Sequence, residues 1–134
     1  MNKIEHIGIA VRSLKSSNVL FEKLLGIPHY KEETVVSEGV NMSFFKIGNS
    51  KIELLEATSS DSPIAKFIEK KGEGIHHIAF EVADIESEIK RFKKEGFEIL
   101  NETPKKGADN KRIVFLHPKN TNGVLIELCQ EIKE

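Results

Sequence analysis

Two histidines and two glutamates in this 134-residue chain stand where apolar side chains would be the ordinary choice. His6 lies in the run Ile4-Glu5-His6-Ile7-Gly8-Ile9-Ala10-Val11, and His77 in Ile75-His76-His77-Ile78-Ala79-Phe80-Glu81-Val82. Glu53 is enclosed by Ile52, Leu54 and Leu55, and Glu127 by Leu125, Ile126 and Leu128. A carboxylate in a half-buried apolar strand costs free energy unless it is paired or coordinates a cation. A lone strand histidine is ordinarily structural, and a lone strand glutamate ordinarily faces solvent. Here both recur at matched intervals: Glu53 follows His6 by 47 positions and Glu127 follows His77 by 50. Brought together, two imidazoles and two carboxylates suit one divalent ion, with cobalt, nickel, zinc, manganese and iron all compatible. Glu56 is the carboxylate that competes with Glu53 for this role.

The elements that must position these residues read as one pattern stated twice. Side chains alternate faces along a strand, so Ile4, His6, Gly8 and Ala10 share a face, as do Ile75, His77, Ala79 and Glu81. Each histidine is followed at +2 by a very small residue, which leaves room beside the imidazole. Period-2 patterning predicts strands at 3–11, 41–47, 50–57, 75–82, 97–101, 112–117 and 123–129, with a weaker one near 28–36. A helix is expected from Ser13, as N-cap, to Leu25, with Leu20 and Leu24 on its apolar face and Gly26 at its end. A second runs from Asp84 to about Glu95, with Ile85, Ile89 and Phe92 as its apolar stripe. A third spans 62–71, with Pro63 in its first turn. The chain is therefore read as a single α+β domain over 1–134 built of two tandem βαβββ modules. Repeat 1 covers about 3–57, a linker helix lies in 58–74, and repeat 2 covers about 75–129.

Composition narrows the partners. Charged residues make up 31% of the chain but the net charge is −1, with no block of one sign, which argues against nucleic acid. Cys129 is the only cysteine, so an intramolecular disulfide and a cysteine zinc cage are excluded. No run approaches the roughly 18 apolar residues of a membrane span, and no signal-peptide pattern follows Met1; a cytoplasmic protein is expected. Lys105, Lys106, Lys111 and Arg112 form a local basic cluster around Gly107, in a segment rich in loop-forming residues. His76 falls on the face opposite His77 and reads as a surface or supporting group. His29 and Cys129 read as structural.

The paired His and Glu strands resemble the vicinal-oxygen-chelate superfamily. Within it, residues 3–129 resemble the methylmalonyl-CoA epimerase family. The carrying stretches are His6-Ile-Gly-Ile-Ala-Val11, Glu53-Leu-Leu-Glu-Ala57, Asp61-Ser-Pro-Ile-Ala-Lys-Phe67, Gly74-Ile-His-His-Ile-Ala-Phe80, Lys106-Gly-Ala108, Phe115-Leu-His-Pro-Lys119 and Gly123-Val-Leu-Ile-Glu-Leu128. The resemblance implies an open, U-shaped, eight-stranded mixed sheet around a metal cleft, commonly in a homodimer. It implies His6, Glu53, His77 and Glu127 as ligands of one divalent ion and an acyl-CoA as substrate. Lys106, Lys111 and Arg112 are candidates for holding the CoA phosphates. Some members of the family carry a catalytic Glu in the strand before the ligand strand. Here that position is Met42, which moves no proton, so Glu127 and Glu53 are the candidate acid–base pair for exchanging the C2 proton. The same donor set also matches lactoylglutathione lyase (glyoxalase I), the enzymatic runner-up. A non-catalytic ligand-binding member of the superfamily is the reading from another class.

Overall fold

The computed structural model describes residues 1–133. In repeat 1, β1 (Lys3–Ala10) runs into α1 (Leu14–Leu25), then β2 (Lys31–Val35), a 3-10 turn (Val36–Glu38), β3 (Val40–Ile47) and β4 (Ser50–Ala57). The linker carries α2 (Pro63–Lys71). Repeat 2 gives β5 (Gly74–Glu81), α3 (Ile85–Lys94), β6 (Lys105–Lys106), β7 (Lys111–Leu116) and β8 (Ile126–Glu131). Two helices start on the capping residues their sequences suggest, Ser13 and Asp84, and Ser62 caps the third. Ser13, Ser62 and Asp84 accept hydrogen bonds from the backbone N–H groups of Ser16, Ala65 and Ser87, satisfying donors that a helix start leaves open.

The hydrogen-bonded strand order is β2-β3-β4-β1-β5-β8-β7-β6, a mixed sheet of eight. Within each repeat the opening strand lies parallel to the closing one, β1 with β4 and β5 with β8, and the remaining pairs are antiparallel. The fold is thus α+β with the βαβββ motif repeated. Two compact units account for the chain: His6–His76, and Met1–Glu5 together with the chain from His77 onward. Repeat 1 and the linker helix share the first unit. No helix among the described residues is long and apolar enough to cross a membrane.

The cores follow from amphipathic faces. In the second unit, Ile85, Ile89 and Phe92 of α3 pack on Val82, Val114, Leu116 and Leu128, as the stripe predicts. In the first, Leu14, Phe21 and Leu25 of α1 pack on Phe45 and Leu54. The expected face of α1 is corrected: Leu20 and Leu24 are 60% and 69% exposed. The inward stripe is Leu14-Asn18-Phe21-Leu25, and a buried asparagine in its middle makes it look broken by hydropathy alone.

Two strand expectations also change. The strand predicted at 97–101 is reduced to a single bridge between Ile99 and Leu116. Asn101 is the reason. Its side-chain amide donates to Ile113 O at 3.2 Å and accepts from Phe115 N–H at 3.0 Å, taking ladder positions on β7 that backbone groups would otherwise fill. Pairing resumes at β6, two residues long. The strand predicted at 123–129 begins only at Ile126, because Gly123 and Val124 donate their N–H groups to Pro118 and Thr121 in a turn. Between repeat 1 strands, Gly39 stands at φ +64°, and a Cβ there would meet Ser62 Cβ at 2.8 Å. That close approach restricts the position to glycine.

Candidate metal centre

Repeat 1 brings His6 and Glu53 together. His6 is on β1 and Glu53 on the parallel β4, and His6 Nδ1 lies 3.2 Å from Glu53 Oε2. Both are buried, the glutamate to 2% exposure. The ladder register explains the small residue at +2: Gly8, not His6, lies directly across from Glu53. The histidine side chain reaches the carboxylate diagonally, over a position that carries no side chain of its own. On the other flank of Glu53, Phe44 of β3 is its register partner and is fully buried.

Repeat 2 reproduces each of these relations. His77 on β5 and Glu127 on β8 lie 3.4 Å apart, Nε2 to Oε1, and both are buried. Ala79 is across the parallel ladder from Glu127, and Phe115 across the antiparallel one. The Phe115 ring meets the His77 imidazole edge-on, with centroids 6.0 Å apart. Each carboxylate therefore has a small residue on one side, an aromatic ring on the other, and an imidazole on the diagonal. Burying carboxylates this deeply is favourable when a cation or donor compensates their charge. The buried imidazole–carboxylate chemistry of both pairs fits a divalent ion.

Glu56 is not a competitor for the ligand position. It lies on the opposite face of β4, where its carboxylate accepts from Leu14 N–H at 2.9 Å and holds the start of α1. Met42 is buried in β3, as a residue with no proton to give. Glu38 ends the 3-10 turn before β3 and is half-exposed. His76 is not a surface group. Its ring packs edge-on against Phe67 of α2, with centroids 5.0 Å apart. Burial, with Lys71 adding, pushes its pKa down to about 4. Cys129 is fully buried beside Ala79 and Ile113, a packing residue as expected.

The basic cluster is dispersed rather than gathered. Lys106 is exposed on β6, Lys111 is buried on β7, and Arg112 faces α3, where its guanidinium binds the Glu86 carboxylate. That hydrogen bond holds the Glu86 pKa below the usual carboxylate value. Adjacent residues on a strand point to opposite faces, so Lys111 and Arg112 cannot serve one phosphate. Arg112 instead ties β7 to α3.

Comparison with known proteins supplies the lineage. Residues 5–115 match the family model of the glyoxalase/bleomycin resistance protein/dioxygenase superfamily. The human mitochondrial methylmalonyl-CoA epimerase is 38% identical over 131 residues, covering 97% of this chain and 74% of that protein. An ethylmalonyl-CoA/methylmalonyl-CoA epimerase from Cereibacter sphaeroides is 39% identical, covering 97% of this chain and 98% of its own. The chain belongs to the methylmalonyl-CoA epimerase family. Among solved structures of this family, a Streptomyces coelicolor methylmalonyl-CoA epimerase variant in complex with 2-nitronate-propionyl-CoA superposes with a TM-score of 0.94. It is 36% identical and covers 98% of this chain and 95% of that one. The epimerase family is one of isomerases, and its fold accounts for the whole βαβββ duplication.

Proposed function

We propose that the His6–Glu53 and His77–Glu127 pairs together hold one divalent metal ion, and that this chain interconverts the C2 epimers of methylmalonyl-CoA. The observation that carries the reading is the repeated pair: a buried imidazole set diagonally against a buried carboxylate, twice, in a chain of an epimerase family. When bound, the ion supplies Lewis-acid stabilisation of the negative charge that develops as C2 loses its proton, worth several kcal/mol. The protein's own groups must move that proton. Glu127 removes it from one face of C2 and Glu53 returns one to the other, with the roles exchanged for the opposite epimer. The apolar surroundings of both carboxylates, Phe44 beside Glu53 and Phe115 beside Glu127, keep water from quenching the carbanion. Lys106 is the cation we assign to the CoA phosphates, since Arg112 is engaged by Glu86. We further propose that both repeats act as one domain, in a cytoplasmic homodimer.

The test is exchange of the C2 proton of methylmalonyl-CoA with solvent deuterium by the metal-loaded protein, run beside a glyoxalase assay on the glutathione hemithioacetal. Epimerisation with deuterium incorporation is expected. Turnover of the hemithioacetal without exchange would transfer the chain to the lyase reading. Exchange at the uncatalysed rate on both substrates would make it a binding protein.

A further inference from the structure

The two repeats match around their carboxylates but differ at the far end of the same sheet face. Phe44 and Phe115 are the register partners of Glu53 and Glu127. Four residues before Phe44 on β3 stands Val40, and four before Phe115 on β7 stands Lys111. Alternation puts Lys111 and Ile113 with Phe115 on the face that carries Glu127, Cys129 and Glu131. In repeat 1 the matching end of the face is Val40, Met42 and Leu55, all buried and apolar. The duplication is its own control: an apolar side chain fits this place, and repeat 2 keeps a lysine there at 8% exposure.

Ordinary surface pairing does not account for Lys111. Glu131 lies directly across the ladder, yet among the described residues the Lys111 ammonium takes part in no ion pair. The Gly107 N–H donates to Lys111 O at 2.9 Å, and a Cβ at Gly107 would meet Ile113 Cδ1 at 2.7 Å, so the turn between β6 and β7 is folded onto this face. Enclosed polar atoms without a partner do occur, at Asn18 and Ser43, but the Lys111 nitrogen is not one of them. The stem is covered and the tip stays within reach of a ligand. Ordering a long side chain costs rotamer freedom, and a cation held in place with no counter-charge of its own is set to receive an anion from outside the chain. Its position indicates which anion. Phe115 is four residues along the strand, roughly 13 Å at about 3.3 Å per residue. A carboxylate attached to C2 would not span that distance from Glu127, whereas an extended pantetheine arm does, and its far end carries a diphosphate. A lysine ammonium is a compact charge with three donors, suited to phosphate oxygens.

We propose that Lys111 binds the diphosphate of the CoA thioester, so that the tail leaves the site along repeat 2 and not along the apolar end of repeat 1. This rests on the acyl-CoA reading above and adds a fixed cation to the exposed Lys106. Isothermal titration of the whole metal-loaded protein with three propionyl thioesters, of CoA, of 3′-dephospho-CoA and of pantetheine, tests it without relying on turnover. Lys111→Met keeps the covered stem and removes the charge. It is expected to weaken both nucleotide thioesters about tenfold and to leave the pantetheine thioester unchanged. Added salt is expected to weaken propionyl-CoA binding more in the wild type than in the variant. Equal weakening of all three thioesters overturns the proposal, because the contact is then with the arm or the acyl group. A loss confined to propionyl-CoA overturns it in favour of the 3′-phosphate. If Lys111→Met binds all three as wild type does, the proposal fails and the epimerase reading stands. Failure of the wild type to bind either nucleotide thioester overturns both.

Discussion

At the scale of single residues, the site is defined by who faces whom across the ladders. The Gly8–Glu53 and Ala79–Glu127 registers leave the diagonal free for the imidazoles. Filling that space is a sharper probe than deleting a ligand. Ala79→Leu and Gly8→Val should weaken metal affinity on the order of tenfold or more without removing any donor atom, measured by competition with a chromogenic chelator. Glu127→Gln keeps an oxygen that could ligate but removes the base. It should lower deuterium exchange by roughly 10²–10⁴-fold while the circular dichroism spectrum stays that of the parent. Retained exchange in Glu127→Gln would mean that a carboxylate other than Glu127 removes the proton.

At the scale of elements, α1 is the instructive case. Its hydropathy suggests the Leu20–Leu24 face, yet the packed face runs through Asn18 to Phe21 and Leu25. Leu24→Ala should therefore change stability by no more than about 0.5 kcal/mol, whereas Leu54→Ala, beneath the helix and fully buried, should cost about 2–5 kcal/mol in urea unfolding. His29 ties the end of α1 to β2 through Glu22 and Glu32. Its hydrogen bond to the Glu22 carboxylate, with Glu32 adding, raises the His29 pKa above its ordinary value of 6.5. The folded state then binds the proton more tightly than the unfolded chain. This stabilisation is complete below the unfolded pKa and is lost as pH rises through the raised one. His29→Gln should accordingly lower the melting temperature more at about pH 6 than at about pH 9. An equal loss at both would show that the tether is packing against Phe45, at 6.0 Å between rings, rather than charge.

At the scale of the whole molecule, the duplication makes a quantitative claim. If the two pairs share one ion, metal analysis of the loaded protein should give one equivalent per chain. His6→Ala and His77→Ala should each abolish it, and the double variant should be no less active than either single one. Two equivalents per chain, with each histidine variant losing only one, would mean two independent sites and would sink the shared-ion mechanism. Chelation should lower the melting temperature of the wild type, because an ion bound only by the folded state stabilises it by mass action. The double variant should be indifferent to chelator.

The sequence by itself determined the repeat, the three helices and two of their caps, Ser13 and Asp84, and it singled out both histidines and Glu127 as candidates, because local capping chemistry and period-2 alternation are written in neighbouring residues. It left Glu53 and Glu56 in competition, and only the ladder register and the Leu14 N–H bond separated them. Tertiary contacts also replaced the strand at 97–101, since the Asn101 side chain bonds to β7 across a dozen residues of chain. They dispersed the basic cluster by engaging Arg112 with Glu86, 26 residues away. They turned α1 over, because a buried asparagine is invisible to hydropathy until the surface it packs against is in place. What one strand or one helix can encode alone was legible in order; what depends on which distant atom satisfies a polar group was decided only by the folded chain.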